Sequence, residues 1–343
     1  MKRQLLGVAA ILLSISTYAQ DNPLWMRYCA ISPDGTTIAF TYKGDIYTVP
    51  STGGRASQIT TNPAHDTKPI WSPDGKKIAF ASDRMGSMDI FEVNKEGGIP
   101  KRLTTHSGNE TPVAYKDAGH ILFLANIMPT AEDAQFPSGQ FQQVYEVNTE
   151  GGRPILFSSM PMEDISINHT GNTLLYHDKK GYEDPWRKHH TSSITRDIWL
   201  CSLNGNRTFR KQTAFNGEDR TPVWASDDKS FYYLSEEKGS FNIFKRDIDG
   251  NTSKQITNHT KHPVRFLSAA SNGTLCYGYD GEIYTVKEGA IPQKVQISIV
   301  TDKNDKDLIS ATGTRYSLFS GRKKYCLRCR KKRIMADLSN QSS

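Results

Sequence analysis

The chain has 343 residues, is 36% hydrophobic and 10% aromatic, and carries no low-complexity tract, which excludes a disordered chain and leaves enough apolar material for stacked sheets. Its formal charge of +7 is concentrated at the ends, because Lys2 and Arg3 open the chain and the stretch from Arg315 holds nine Lys or Arg against the single acid Asp337. The body from Gln20 to Thr314 is mildly acidic, so it gives no electrostatic case for a nucleic-acid partner.

The first element is a signal peptide over residues 1–19. Lys2 and Arg3 form its positive end, Leu5 to Ile15 its apolar stretch, and Thr17-Tyr18-Ala19 the residues before a cut. The apolar stretch is too short for a membrane span, and an uncleaved anchor is the alternative. No cysteine follows to take a lipid. The mature protein is expected in the periplasm or outside the cell.

Residues 20–306 are dominated by a repeat. Ser32-Pro33-Asp34-Gly35-Thr36-Thr37-Ile38-Ala39-Phe40 returns forty residues later as Ser72-Pro73-Asp74-Gly75-Lys76-Lys77-Ile78-Ala79-Phe80. Weaker copies end at Phe123, Tyr176, Tyr233 and Tyr277. A second line follows each copy, as in Asp45-Ile46-Tyr47, Asp89-Ile90-Phe91, Asp197-Ile198-Trp199 and Glu282-Ile283-Tyr284. A third closes most units, as in Gln58-Ile59-Thr60, Arg102-Leu103-Thr104 and Gln255-Ile256-Thr257.

Asp-Gly and Asn-Gly pairs suit tight hairpin turns, and the runs between them favour pleated, half-buried surfaces. Each unit therefore predicts four short antiparallel strands. One such sheet cannot bury both faces alone, and radial stacking solves this. The expected fold is all-β, a six-bladed propeller. Every unit begins with its own innermost strand, and the last ends with its own outer strand, Val295 to Ile299. The ring is thus expected to close without a shared strand, by side-chain packing alone.

The third unit is enlarged by Met128 to Gln140 and the fourth by Asp178 to Arg196. Long insertions on a regular scaffold are where function tends to sit. Tyr182, Trp186, Arg187, Lys188, His189 and His190 are the candidate contacts for a peptide or protein partner, on the enrichment of Trp and Arg at hot spots. A solvated or self-packed insertion is the alternative.

The repeat lines resemble the WD-repeat-like units of TolB-type periplasmic proteins. Over Gln20 to Lys306, with Gly181 to Trp199 in the fourth unit, the chain resembles the N-terminal propeller of tricorn protease homologues. That resemblance implies a six-bladed propeller that filters or channels peptides toward a serine-peptidase chamber built by later domains. The family's catalytic residues lie in those domains, so none has a counterpart position here and no catalytic residue is assigned. Homo-oligomerisation through those later domains is a further implication. A complete TolB-like scaffold that docks partners is the alternative reading, and a propeller lyase or glycosidase a third.

No cofactor or metal site is expected. Phosphate-loop, G-x-S-x-G and H-E-x-x-H patterns are all missing. The Asp-Gly turns lack a calcium-ligand ladder. His189 and His190 would point to opposite faces of a strand, which is poor geometry for one ion. The five cysteines, Cys29, Cys201, Cys276, Cys326 and Cys329, are odd in number and widely spaced, which gives no disulfide framework. The first three read as small buried hydrophobes, and Cys326 with Cys329 lack a second pair.

Residues 307–343 lose the repeat and turn basic, where a seventh unit would begin. One permitted back-translation of Phe319 to Arg328, read one base later, encodes Ser-Pro-Asp-Gly-Lys-Asn-Ile-Ala-Phe, the repeat line itself. The expectation is a disordered tail on a frameshifted, truncated product of a longer gene. A native basic tail for nucleic acid or anionic membrane is the alternative.

Overall fold

The computed structural model describes residues 23–126, 141–181 and 193–300. The described residues form six four-stranded antiparallel sheets, each running in sequence order from an inner to an outer strand. The innermost strands are Arg27–Ile31, Asp66–Trp71, Glu110–Asp117, Met162–Ile167, Asp219–Trp224 and Arg265–Ala269. The fold class read from the repeats is the one observed.

The two main repeat lines lie side by side. Phe40 pairs across strands with Tyr47, Phe80 with Phe91, Phe123 with Tyr145, Tyr176 with Trp199, Tyr233 with Phe244 and Tyr277 with Tyr284. Each blade thus holds one aromatic cross-strand pair. Phe40 and Tyr47 stack with ring centres 5.8 Å apart, and Phe123 and Tyr145 at 5.7 Å. Such pairs add to the burial of the rings themselves.

Alternation along the second strand serves both neighbours. Ile38 and Phe40 face blade 6, while Ala39 faces blade 2. Ile121 and Phe123 face blade 2, while Leu122 and Leu124 face blade 4. The apolar core therefore divides into six clusters, one per joint between neighbouring blades. The closing joint is among them, with Met26, Cys29, Ile31, Ile38 and Phe40 of blade 1 against Cys276, Ile283, Val295 and Ile297.

The closing joint repeats the internal ones in its main chain too. The Met26 N–H donates to the Gly281 carbonyl at 3.0 Å, as Asp66 donates to Gly44 at 2.8 Å and Glu110 to Met88 at 2.8 Å. Among the described residues no blade strand is shared between blades 1 and 6. Packing alone does not close the ring, however. The outer strand of blade 6 is only Gln293–Lys294, and Ile297–Ser298 crosses to run parallel to Gly54–Arg55 of blade 1. Gly54 and Ala56 donate to the carbonyls of Gln296 and Ser298 at 2.8 and 2.9 Å. Gly53 makes this approach possible, since it sits at φ +92° and a Cβ there would meet the Gln296 carbonyl oxygen at 2.7 Å.

The turns explain the Ser-Pro-Asp-Gly line. Ser72 donates to Asp74 at 2.7 Å, Asp74 accepts from the Lys76 N–H at 3.1 Å, and Gly75 takes φ +66°. The aspartates of this line hold their own turns.

The third line has a different task. The threonine that ends it accepts the N–H of the residue after the second line's acid or amide. Thr60 serves Ile46 at 3.0 Å, Thr104 serves Ile90 at 2.9 Å, Thr213 serves Ile198 at 3.0 Å and Thr257 serves Ile243 at 2.9 Å. Thr104 then donates its hydroxyl to Glu110, the first residue of the next blade. Asp219 holds the same relation to Thr213 and Ser235. These carboxyls bind successive blades together from inside.

Burial pushes Glu110 up to about 7, against the hydrogen bond from Thr104. Its folded pKa therefore exceeds the 4.5 of a free glutamate. The stabilisation is complete below that value and is lost as pH rises through about 7. We expect urea unfolding to show Glu110 contributing about 2 to 3 kcal/mol more stability at pH 5 than at pH 8. Glu110→Gln, neutral in both states, should lose that part of the slope. An unchanged slope in the variant would contradict this assignment.

Candidate functional site

The insertion residues Tyr182, Trp186, Arg187, Lys188, His189 and His190 lie outside the described residues, as does Met128 to Gln140. The stems of the fourth-blade insertion are described, and they end in a buried network of charges. On one stem, Lys180 donates to the Asp197 carboxylate and to the Thr195 carbonyl, and Lys211 approaches Asp197 at 2.8 Å. On the other, Arg196 donates to Glu218 at 2.7 Å, with both side chains almost wholly buried. Glu218 also lies 3.6 Å from Arg220, and its N–H donates to Glu236 at 3.1 Å. Burial lowers Arg220 to about 10, although Glu218 opposes the shift.

The network reaches the inner wall of the ring. Glu163 on the innermost strand of blade 4 meets Lys179 at 2.8 Å, His177 at 3.3 Å and Arg196 at 3.6 Å. Burial alone would raise Glu163, but His177 and Lys179 outweigh it and hold the carboxylate well below its ordinary range. The buried His177 ring accepts the Thr221 N–H at Nδ1 at 3.2 Å, which leaves Nε2–H to donate to Glu163. These contacts fix the histidine in place between two blades.

A second feature encircles the same wall. In five blades the innermost strand carries one extra residue relative to its neighbour, two residues standing opposite one, between Arg27 and Ala30, Thr67 and Ile70, Glu163 and Ser166, Arg220 and Val223, and Arg265 and Ser268. The first of the two bulged residues is left-handed each time: Tyr28, Lys68, Asp164, Thr221 and Phe266, with φ between 48° and 57°. None is glycine, so each bulge stores backbone strain that the surrounding sheet holds.

These five residues meet in two groups. Tyr28 and Phe266 have ring centres 4.8 Å apart, Lys68 Nζ lies 5.8 Å above the Tyr28 ring, and Thr221 donates to Asp164 at 2.7 Å. Burial raises the Tyr28 phenol, Arg27 lowers it, and Asp164 on the facing blade raises it again. The wall is therefore a girdle with an aromatic and cationic half opposite an acidic and hydroxylic half. Such a girdle presents apolar, charged and hydrogen-bonding groups on one wall. Among the described residues no cluster of His, Cys, Asp and Glu could hold a metal ion.

The tricorn protease N-terminal beta propeller domain model matches residues 23–290. The chain belongs to that family. Within the tricorn propeller family, tricorn protease homolog 1 of Streptomyces coelicolor is 25% identical over 281 residues, covering 81% of this chain and 25% of the relative. The tricorn protease homolog of Saccharolobus solfataricus is 27% identical over 295 residues, covering 82% and 26%. This tricorn-type chain thus spans about a quarter of the length of the curated relatives it matches. The crystal structure of the tricorn protease superposes with a TM-score of 0.67 at 20% identity, over 82% of this chain and 27% of that one. At that identity the likeness shows the propeller fold alone.

The bulge residues of this tricorn-type propeller have no common signal in the sequence. Tyr28, Lys68, Asp164, Thr221 and Phe266 share no chemistry, and left-handed positions normally announce themselves as Gly or Asn. The stem network is equally silent, since residues from Glu163 to Glu236 meet only once the blades are stacked.

Proposed function

We propose that this chain is a non-catalytic propeller that admits extended peptides to its central channel, as a gating or assembly domain of an exported tricorn-like serine peptidase. The observation that carries this reading is the girdle of Tyr28, Lys68 and Phe266 facing Asp164 and Thr221. A peptide of mixed sequence needs apolar surface, opposite charges and hydrogen-bonding partners at one level, and the girdle offers all three. Membership of the tricorn propeller family supports the same reading. Its partners are then peptides or proteins, with assembly into oligomers through domains outside this chain. The TolB-like scaffold reading has no observation of its own.

The test is fluorescence anisotropy of a labelled, unstructured peptide titrated with the chain. Weak binding in the range of about 10 to 100 μM is expected, with casein left uncut. Phe266→Ala and Asp164→Ala should each weaken binding about tenfold, the effect of losing one well-placed contact. Binding that ignores both substitutions, or no binding at millimolar concentration, would overturn the proposal.

A further inference from the structure

The closing joint contains two thiols in contact. Cys29 and Cys276 are free thiols buried in one cluster, the one that joins blade 1 to blade 6. Cys29 Sγ donates to the Phe266 carbonyl at 3.4 Å. Ser268 Oγ sits 3.5 and 3.4 Å from the carbonyls of Cys29 and Cys276, and accepts the Ile31 N–H at 3.0 Å. Both backbones are thus pinned to one hydroxyl. Cys29 and Cys276 are far apart in sequence, and the ring brings the two ends together.

The corresponding positions at the other joints carry no thiol. Cys29 is the second bulge residue of its strand, as Ile165 and Leu267 are of theirs. Cys276 lies opposite the residue that follows its own strand's bulge, as Leu122, Leu175 and Tyr232 do. Leu122 packs with Ile165 in one joint, and Tyr232 with Leu267 in another. Only the joint whose two sides are not continuous along the chain has a cysteine at both places. A pair of small apolar residues would pack as well there, so packing does not account for two thiols.

We propose that Cys29 and Cys276 form a disulfide that staples the first blade to the last. The reaction is thiol–disulfide exchange with a disulfide donor, protein or small molecule, in the compartment to which export would deliver the chain. One thiolate attacks the donor and releases a thiol. The second then attacks the mixed disulfide, so the new S–S bond forms and the protons of Cys29 and Cys276 leave on the two donor thiols. Burial raises the Cys276 thiol well above its ordinary value, and the neighbouring Cys29 thiol adds to this. Exchange therefore belongs to the stage before the joint closes, when both sulfurs are open to solvent. Once made, the bond is shielded from reductants and closes a loop of nearly the whole propeller, where the chain-entropy effect is largest.

The full chain is folded in oxidised glutathione and mapped by non-reducing tryptic mass spectrometry. The expected product is one cross-linked peptide pair containing Cys29 and Cys276, with Cys201 alkylated as a free thiol. The oxidised chain should melt about 10 °C above the reduced, refolded chain. Cys276→Ala should fold, because Ala39 and Ala79 occupy the equivalent place, and its melting should ignore reductant. Free Cys29 and Cys276 after oxidation, pairing of either with Cys326 or Cys329, or a cross-link without a melting shift would each overturn the proposal.

Discussion

Arg196→Ala is expected to cost about 3 to 5 kcal/mol, because it leaves the buried Glu218 carboxylate without the guanidinium it meets at 2.7 Å. Glu218→Ala should cost at least as much, since Arg196 and Arg220 both approach that carboxylate. The double variant Arg196→Met with Glu218→Leu should recover most of the loss, as apolar side chains of similar volume usually replace a buried pair without penalty. The comparison separates two roles. If the pair only holds the stems of the insertion, the double variant restores both stability and peptide binding. If the charges also shape the inner wall through Glu163, stability returns and binding does not. Equilibrium unfolding and peptide anisotropy on the same three variants read both. A single variant that loses less than about 1 kcal/mol would show that the pair is solvated in solution.

Phe40→Ala should destabilise the chain by about 3 to 5 kcal/mol, and Phe123→Ala by the same amount within about 1 kcal/mol. Both rings are wholly buried, and each stacks on an aromatic partner from its neighbouring strand. They differ only in the joint they fill. Phe40 packs toward blade 6 across the closure, and Phe123 toward blade 2 across an internal joint. Near equality means that the closing joint bears the same load as the others. A cost at Phe40 of under half that at Phe123 would mean that the ring opens there before the rest melts.

The blades were legible because their signals are local. The alternation of Ile38, Ala39 and Phe40 is set by the pleat of one strand, and the Asp-Gly turns are set by φ angles at two residues. Closure was legible in outline for the same reason, since each unit supplies its own inner strand. The crossing of Ile297–Ser298 to blade 1 was not. Val295, Ile297 and Ile299 keep one alternation throughout, and alternation does not say which neighbour a strand pairs with. The threonines that end the third line were visible as a repeated letter. Their acceptance of a main-chain N–H fourteen or fifteen residues earlier was not, because a hydrogen bond of that span has no pattern of its own. The candidate contacts on the fourth-blade insertion remain a proposal, now attached to stems whose charges are described.

The central claim is that residues of the first and last blades close one ring through a joint built like the internal ones. Amide hydrogen exchange tests it most directly. Met26, Gly54 and Ala56 donate across the closure to Gly281, Gln296 and Ser298, and Ser271 donates back to Pro33 at 2.9 Å. Asp66, which donates to Gly44 across the first internal joint, is the reference. The account predicts that all four closing amides exchange as slowly as Asp66, protected by at least about a thousandfold and released only with global unfolding. Rapid exchange at Met26, Gly54, Ala56 and Ser271 while Asp66 stays protected would show an open ring and contradict it.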